Sequence, residues 1–377
     1  MRKPQVCLAL PSFWPRDAVG NDVLGMKKCL DRAGYHVTIL ATWMDRSYER
    51  YARMLDPNDP ILRSRENILI YHHAIYWEAG ERMLEKVKAK VAIRSHNVTP
   101  PEFFKAHSQR YFDACTRGIA GAQRLVRVPG AFFWGTSSFT VEDLVRSGAP
   151  PERCRVLPPF HRIEEELASA PFDNVIVGDY RRTWPNILFV GGFRPNKGHL
   201  KAIEVFAAYK RRSDSSARLL FAGNFDPDLN SYLDEVQAHA VKMGVAKDVC
   251  FAFSVTPSQL RTYYLTSSVF LCTSEHEGFC VPLAEAMFFR SPIVAWDMAA
   301  VGETCGPAGL LFRDFTPDAL AAAIEECVEN PATALHLADC GRLQYESRYH
   351  PRAIGTRLLE LVREMEGETV ELYSKTV

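Results

Sequence analysis

The sequence predicts an α/β protein made of two doubly wound domains, each a parallel sheet covered by helices on both faces. Three observations predict it. The chain has 377 residues, more than a single core usually organises. Short apolar runs alternate with amphipathic stretches of helix length, the pattern of strand and crossover helix. A second series of the same kind starts after a stretch near residues 170–186, "APFDNVIVGDYRRTWPN", that breaks the pattern with Pro, Gly and charge. Apolar content of 47% and charged content of 24% describe a globular chain and exclude a disordered or fibrous one.

The opening "MRKPQVCLALPSFW" has a basic flank, but its apolar run stops at Pro11 and no small-residue cleavage site follows. It therefore reads as a first strand, "VCLALP", and not as a leader. A loop carrying Gly20 and Asn21 leads into an amphipathic helix through "DVLGMKKCLDRAG" that ends at Gly34. Further strands are expected at "HVTILA", "NILIYHH", "KVAIRSH" and "GAFFWGTS". In the last of these, "FFWGTSSF" suits an inner strand and its loop better than a membrane-facing aromatic patch.

The second series runs "NILFVGGF", helix "HLKAIEVFAAYKRR", "ARLLFAGNF", helix "LNSYLDEVQAHAVKMG", "VCFAF", helix "PSQLRTYYLTS", "SVFLCTS", a helix after Pro282, "SPIVAW" and "GLLFRD". The expected domains are residues 1–175 and 185–350. Residues 351–377 form a terminal helix expected to cross back to the first domain. Two sheets of this type direct their strand carboxyl ends at a shared cleft, where ligands are expected.

No run approaches the roughly 18 apolar residues of a membrane-spanning helix. The ten cysteines are scattered without C-x-x-C spacing, as expected of reduced, mostly buried thiols in a cytoplasmic protein. The zero net charge hides an asymmetry. Residues 1–180 hold 25 Lys+Arg against 21 Asp+Glu, and residues 82–162 hold 14 against 6. That local excess suits an anionic partner, and equally a solvated basic face.

The chemistry concentrates in "SEHEGFCVPLAEAM", residues 274–287, which sets Glu277 and Glu285 around Gly278 and Pro282. Proline favours the first helical position, so a helix is expected to start at Pro282 with "HEGFC" as the strand-to-helix loop. Gly278 allows close backbone approach, and the amides of Phe279, Cys280 and Val281 then suit a phosphate at the helix N-terminus. Glycosidase carboxyls face one another across roughly 5 to 9.5 Å from separate elements. Two glutamates on one loop and helix suit hydroxyl groups at the two ends of a nucleotide sugar instead. Taken alone, the motif is equally a loop glutamate beside a first-turn glutamate favoured by the helix dipole.

The run "EHEGFCVPLAEAM" resembles the E-x7-E signature of retaining glycosyltransferases of the GT-B fold, in particular family 4. "VGGFRPNKGH" at 190–199 resembles that family's diphosphate loop, and "VTPSQLRTYY" the segment after the base-binding strand. "VGETCGPAGLLF" resembles the stretch after the signature helix, and "VAIRSHN" the first-domain strand that ends in a cleft histidine. The likeness is tight over residues 185–315 and loose before them.

The resemblance implies a GT-B fold of two Rossmann-like domains, the first binding acceptor and the second a nucleotide-sugar donor. It assigns Glu277 to the donor sugar hydroxyls, Gly278, Phe279, Cys280 and Val281 to sugar and phosphates, and Glu285 to the ribose. Lys197 would stabilise the departing diphosphate. His96 would face the sugar, and Gly20, Gly191, Gly192 and Val255 would line the donor site. The family usually has Arg where this chain has Gly192, so Arg194 is the expected second cation. His72 and His73 are expected to be structural. Asp226 and Asp228 in "DPD" mimic an Asp-x-Asp metal site but suit a turn, so neither a metal nor a cofactor is expected.

The implied activity is a metal-independent, retaining hexosyl transfer in bacterial surface polysaccharide or glycoconjugate synthesis. The acceptor would be a glycan or lipid-linked glycan, with peripheral membrane contact through the first domain and no nucleic-acid partner. A nucleotide-sugar epimerase or hydrolase, and an inactive nucleotide-sugar-binding subunit, are the competing readings.

Overall fold

A computed structural model describes residues 3–15, 17–180, 185–213 and 216–367. The chain forms two compact units, one of residues 1–98, 115–161 and 348–377 and one of residues 99–114 and 162–347.

The first unit holds seven strands: β1 Gln5–Phe13, β2 His36–Met44, β3 Ala52–Met54, β4 Ile68–His73, β5 Lys90–Ser95, β6 Phe132–Gly135 and β7 Cys154–Val156. They lie in the order β3-β2-β1-β4-β5-β6-β7, and every pair is parallel. Alternate residues of β1 serve opposite faces. Val6, Leu8 and Leu10 join one apolar cluster, and Cys7 and Ala9 join the other, as the twofold period of a strand buried on both sides requires.

The second unit holds β8 Asn186–Val190, β9 Arg218–Gly223, β10 Val249–Phe253, β11 Val269–Cys272, β12 Ile293–Trp296 and β13 Gly309–Phe312. Their order, β10-β9-β8-β11-β12-β13, repeats the first unit's pattern with one edge strand fewer. In both sheets the strand order reverses beside the first strand, between β1 and β4 and between β8 and β11. Doubly wound sheets open a crevice there, outside the strand carboxyl ends. Each unit thus has one predicted ligand position.

Several local expectations need correction. β1 continues through Pro11 to Phe13. The pairing with β2 passes over Pro11, joining Leu10 to Ala41 and Ser12 to Trp43, because proline has no N–H to give. Gly20 and Asn21 lie inside the first helix, Ala18–Arg32, and not in a loop before it. The Asp17 carboxylate caps that helix by accepting from the Gly20 amide at 2.9 Å, the usual role of an N-cap aspartate. Three-residue β3 and β7 are too short to show a period in sequence.

The expected terminal helix spans Pro351–Glu366 and closes on Gly367 at φ 92°. Residues 368–377, expected to extend it, lie outside the described residues. Ile354, Leu358, Leu361 and Val362 pack it into the first unit's core beside the first helix. No helix among the described residues is long and apolar enough to cross a membrane.

A buried ion pair ties the first unit together. Arg94 on β5 and Asp22 on the first helix are both fully buried, with Nε 3.0 Å from Oδ2. The guanidinium also donates to the Gly135 and Leu157 carbonyls, and the other Asp22 oxygen accepts from the Phe160 amide at 2.8 Å. Removing one partner would leave a buried charge uncompensated. Arg94→Met is therefore expected to cost about 3–5 kcal/mol of stability in urea denaturation, whereas Asp22→Asn, which keeps an acceptor for Phe160, should cost less.

Candidate functional site

At the switch point of the second sheet, two loops are laced to each other by their backbones. The loop after β8 runs from Gly191 to Gly198 and feeds the helix His199–Arg212. Gly198 has φ 74° and ψ 34°, and a Cβ on it would lie 2.0 Å from the Thr273 carbonyl oxygen at the end of β11. Only glycine fits both demands. Thr273 Oγ1 donates to the Gly198 carbonyl at 2.8 Å. The buried Asn196 completes the lacing. Its carbonyl accepts from the Glu275 amide at 2.8 Å, and its Nδ2 donates to the His276 carbonyl at 3.0 Å.

This lacing brings Lys197 onto Glu277. Lys197 Nζ donates to Oε1 at 2.7 Å and to Oε2 at 2.9 Å. Burial alone would lower the lysine pKa, but the Glu277 carboxylate beside it, by its charge and its hydrogen bonds, outweighs burial and raises the value. Lysine therefore stays cationic. An ammonium has three N–H donors, so one remains for an incoming anion. A Cβ on Gly191 would meet the Lys197 stem at 3.7 Å, and the Gly191 amide donates to the Ala222 carbonyl at 3.0 Å.

Gly192 has no positive φ, and a Cβ there would meet only the Asn224 carbonyl at 3.5 Å. The position accepts a side chain. Arg194 is exposed, with its guanidinium 5.6 Å from the Tyr111 ring centroid.

The helix after β11 is Val281–Phe288. It begins one residue before Pro282, so Val281 is already helical. Cys280, its N-cap, adopts φ 72° and ψ 73°, a left-handed conformation uncommon for a side-chain-bearing residue and a mark of local strain. The Cys280 Sγ lies 4.0 Å from Cys272 Sγ; all ten cysteines are free thiols. Glu285, one turn into the helix, accepts from the Tyr264 hydroxyl at 2.7 Å. Burial raises its pKa to about 7, against the lowering effect of that hydrogen bond. Gly278 and Phe279 connect the two glutamates along the loop. Val255 lies apart, in the turn after β10, two strands from β8.

Asp226 and Asp228 follow β9 and are engaged by protein groups. Tyr111 donates its hydroxyl to Asp226, and Arg110 pairs with Asp228 at 2.5 Å. Both partners belong to residues 99–114, which pack within this unit although the strands before and after them belong to the other. Asp226 also caps the turn by accepting from the Asp228 amide.

Gly20 and His96 stand at the first unit's switch point. The Gly20 amide is already committed to Asp17. His96 follows β5 directly; its Nε2 lies 2.9 Å from His72 Nδ1 and 3.6 Å from Asp22 Oδ2. Among the described residues, Asp22, His72 and His96 offer three ligand atoms within 4.8 Å of one another. The Arg94 guanidinium on the same Asp22 oxygen places a fixed positive charge beside the position a cation would take, so no metal is assigned.

Sequence reasoning missed Asn196, Gly198, Thr273, Tyr264 and Tyr111. The Asn-Lys-Gly run of 196–198 carried a signal, since Asn-x-Gly marks a tight turn. The others act across sequence gaps of 21 residues or more.

Residues 181–344 match the model of the family described as glycosyl transferases group 1. The D-inositol 3-phosphate glycosyltransferase of Acidothermus cellulolyticus is 27% identical over 247 residues, which are 62% of this chain and 51% of that protein. The serotype-specific mannosyltransferase WbdA of Escherichia coli is 23% identical over 310 residues, 78% of this chain and 36% of that protein. The chain thus spans about half or less of the length of these relatives. The fold matches sucrose-phosphate synthase of Thermosynechococcus elongatus with a TM-score of 0.75 at 18% identity, covering 97% of this chain and 100% of that one. It matches Anabaena HepE, solved with UDP-glucose, with a TM-score of 0.73 at 14% identity, covering 96% and 99%. With two parallel sheets whose strands follow one order, and with these structural matches over nearly the whole chain, the protein has the GT-B fold, and its residues 181–344 are similar to the glycosyl transferases of group 1.

Proposed function

We propose that this chain is a retaining glycosyltransferase that moves a hexosyl group from a nucleoside diphosphate sugar to an acceptor hydroxyl. The observation that carries the reading is the pairing of Lys197 with Glu277 at the second switch point, beside the N-terminus of the helix that bears Glu285. Names of relatives support the donor class: HepE was solved with UDP-glucose, and another relative is a GDP-mannose-dependent mannosyltransferase.

In this reading the diphosphate meets the third N–H of Lys197, the helix N-terminus and Arg194. Charge grows on the diphosphate as the glycosidic bond breaks, so a fixed cation there stabilises the transition state more than the ground state. Glu277, released in part by Lys197, accepts from sugar hydroxyls, and Glu285 accepts from the ribose. The acceptor hydroxyl attacks on the face the diphosphate leaves, which retains configuration without a covalent intermediate. No metal is required, because protein cations neutralise the diphosphate.

The acceptor is proposed to be a glycan or lipid-linked glycan presented to the first unit at the inner face of a membrane. Relatives named for O-antigen and phosphatidylinositol mannoside synthesis support a polysaccharide or glycoconjugate setting.

Lys197→Ala should depress turnover more than it weakens donor binding, and Gly192→Arg should fold normally and keep or raise turnover; equal loss of kcat/KM and binding in Lys197→Ala would remove its leaving-group role. Turnover should persist in EDTA. Metal-dependent rescue after chelation would contradict the mechanism.

Glu285→Ala should lose on the order of 1 to 3 kcal/mol of nucleoside diphosphate affinity by calorimetry. The same residue sets a pH dependence. Its folded pKa of about 7 exceeds its ordinary value of 4.5, so between those values the unfolded chain has released a proton that the folded chain keeps. Stability should therefore fall as pH rises through that window. Nucleotide affinity should instead rise as the carboxylate ionises near pH 7. Glu285→Gln should flatten both slopes.

A further inference from the structure

We propose that His72 is the positioning residue of His96: it claims one ring nitrogen of His96 and thereby sets which nitrogen, and in which form, meets the substrate. The proposal rests on reading His96 as the histidine that faces the donor sugar.

His72 is buried near the end of β4, and His96 follows β5 with its amide donating to the His73 carbonyl at 2.8 Å. The two rings lie edge to edge and nearly coplanar, 22° apart with centroids at 5.2 Å, and His72 Nδ1 lies 2.9 Å from His96 Nε2. The same Nε2 is 3.6 Å from Asp22 Oδ2. His96 Nδ1 has no protein partner among the described residues, and the side chain remains 9% exposed. The buried network thus takes Nε2 and leaves Nδ1 for whatever enters.

Burial, reinforced by the Arg94 charge, keeps both imidazoles neutral. One proton therefore lies between the two rings. On His96 Nε2 it faces an imidazole nitrogen and a carboxylate oxygen. On His72 Nδ1 it would leave the Nε2 lone pair of His96 pointing toward that carboxylate. The first arrangement is electrostatically preferred, and it makes His96 Nδ1 a bare acceptor for a sugar hydroxyl.

The arrangement has a cost that points the same way. His72 then carries its own proton on Nε2, a buried atom with no hydrogen-bond partner among the described residues. Buried polar groups of this kind are rare. A residue kept only to fill space between β4 and the first helix could be leucine or phenylalanine and avoid that cost.

The test uses the whole chain labelled with ¹⁵N at histidine. The expected result is His96 in the Nε2–H tautomer in the parent and in His72→Asn, whose Oδ1 replaces Nδ1 as acceptor, and a mixture of tautomers in His72→Phe. Slow turnover of UDP-glucose or GDP-mannose, whichever the parent uses faster, should fall at least tenfold in His72→Phe and recover in His72→Asn, with UDP or GDP affinity unchanged in both. An Nδ1–H tautomer in the parent, or full turnover in a folded His72→Phe, would overturn the proposal. So would a thermal shift with Zn²⁺ alone that vanishes in His72→Asn, since the cluster would then be a metal site. Full turnover in His96→Ala would instead sink the reading of His96 on which the proposal rests.

Discussion

The candidate donor site depends on one steric constraint, the passage of the Gly198 backbone against the Thr273 carbonyl. A side chain at Gly198 would collide with an atom that cannot move without disturbing β11. Because the backbones touch, Asn196 can bond the Glu275 and His276 peptide groups, and Lys197 can reach both oxygens of Glu277. The ion pair is thus a consequence of backbone packing. A cation positioned by two laced loops needs little reorganisation when charge develops beside it, which is the property that leaving-group stabilisation demands.

The two units use one strand order to build two different electrostatic environments. At the first switch point the Arg94–Asp22 pair is sealed, with most of its donors and acceptors taken by protein groups. Such a pair specifies how the helix, β5 and the segment after β7 fit together, and has little left to offer a ligand. At the second, Lys197 keeps 21% of its side chain exposed and one donor uncommitted. The first pair organises structure, and the second is poised to exchange partners. This contrast arises from burial and from the backbone partners that take up the first pair's remaining groups, since both pairs consist of one basic and one acidic side chain at hydrogen-bonding distance.

Much of the fold was legible because buried parallel strands are short apolar runs and their crossover helices are amphipathic, so each advertises itself locally. Edge strands β3 and β7 did not, being three residues long with one partner each. Gly20 was read as loop because glycine usually breaks helices, yet the Asp17 carboxylate supplies a cap that starts the helix before it. In the candidate site, Glu277 and Glu285 stood out by their spacing, and Lys197 by the resemblance of its loop to a diphosphate loop. Tyr264 did not, because its role is to meet Glu285 across two elements. Tyr111 was also silent, because a segment that precedes β6 in sequence packs beside β9's outgoing loop.

The sequence by itself determined the class of fold, most of the succession of strands and helices, and the loops that carry the acidic and basic residues of the candidate site. These follow from local periodicity, glycine and proline placement and short-range spacing. Tertiary structure alone decided that Lys197 would be paired with Glu277, that burial would hold Glu285 near neutrality, and that His72 would take one nitrogen of His96. Those properties depend on distance and burial between residues far apart in the chain. Charge interactions and desolvation vary steeply over a few ångströms, a scale on which sequence separation carries no information.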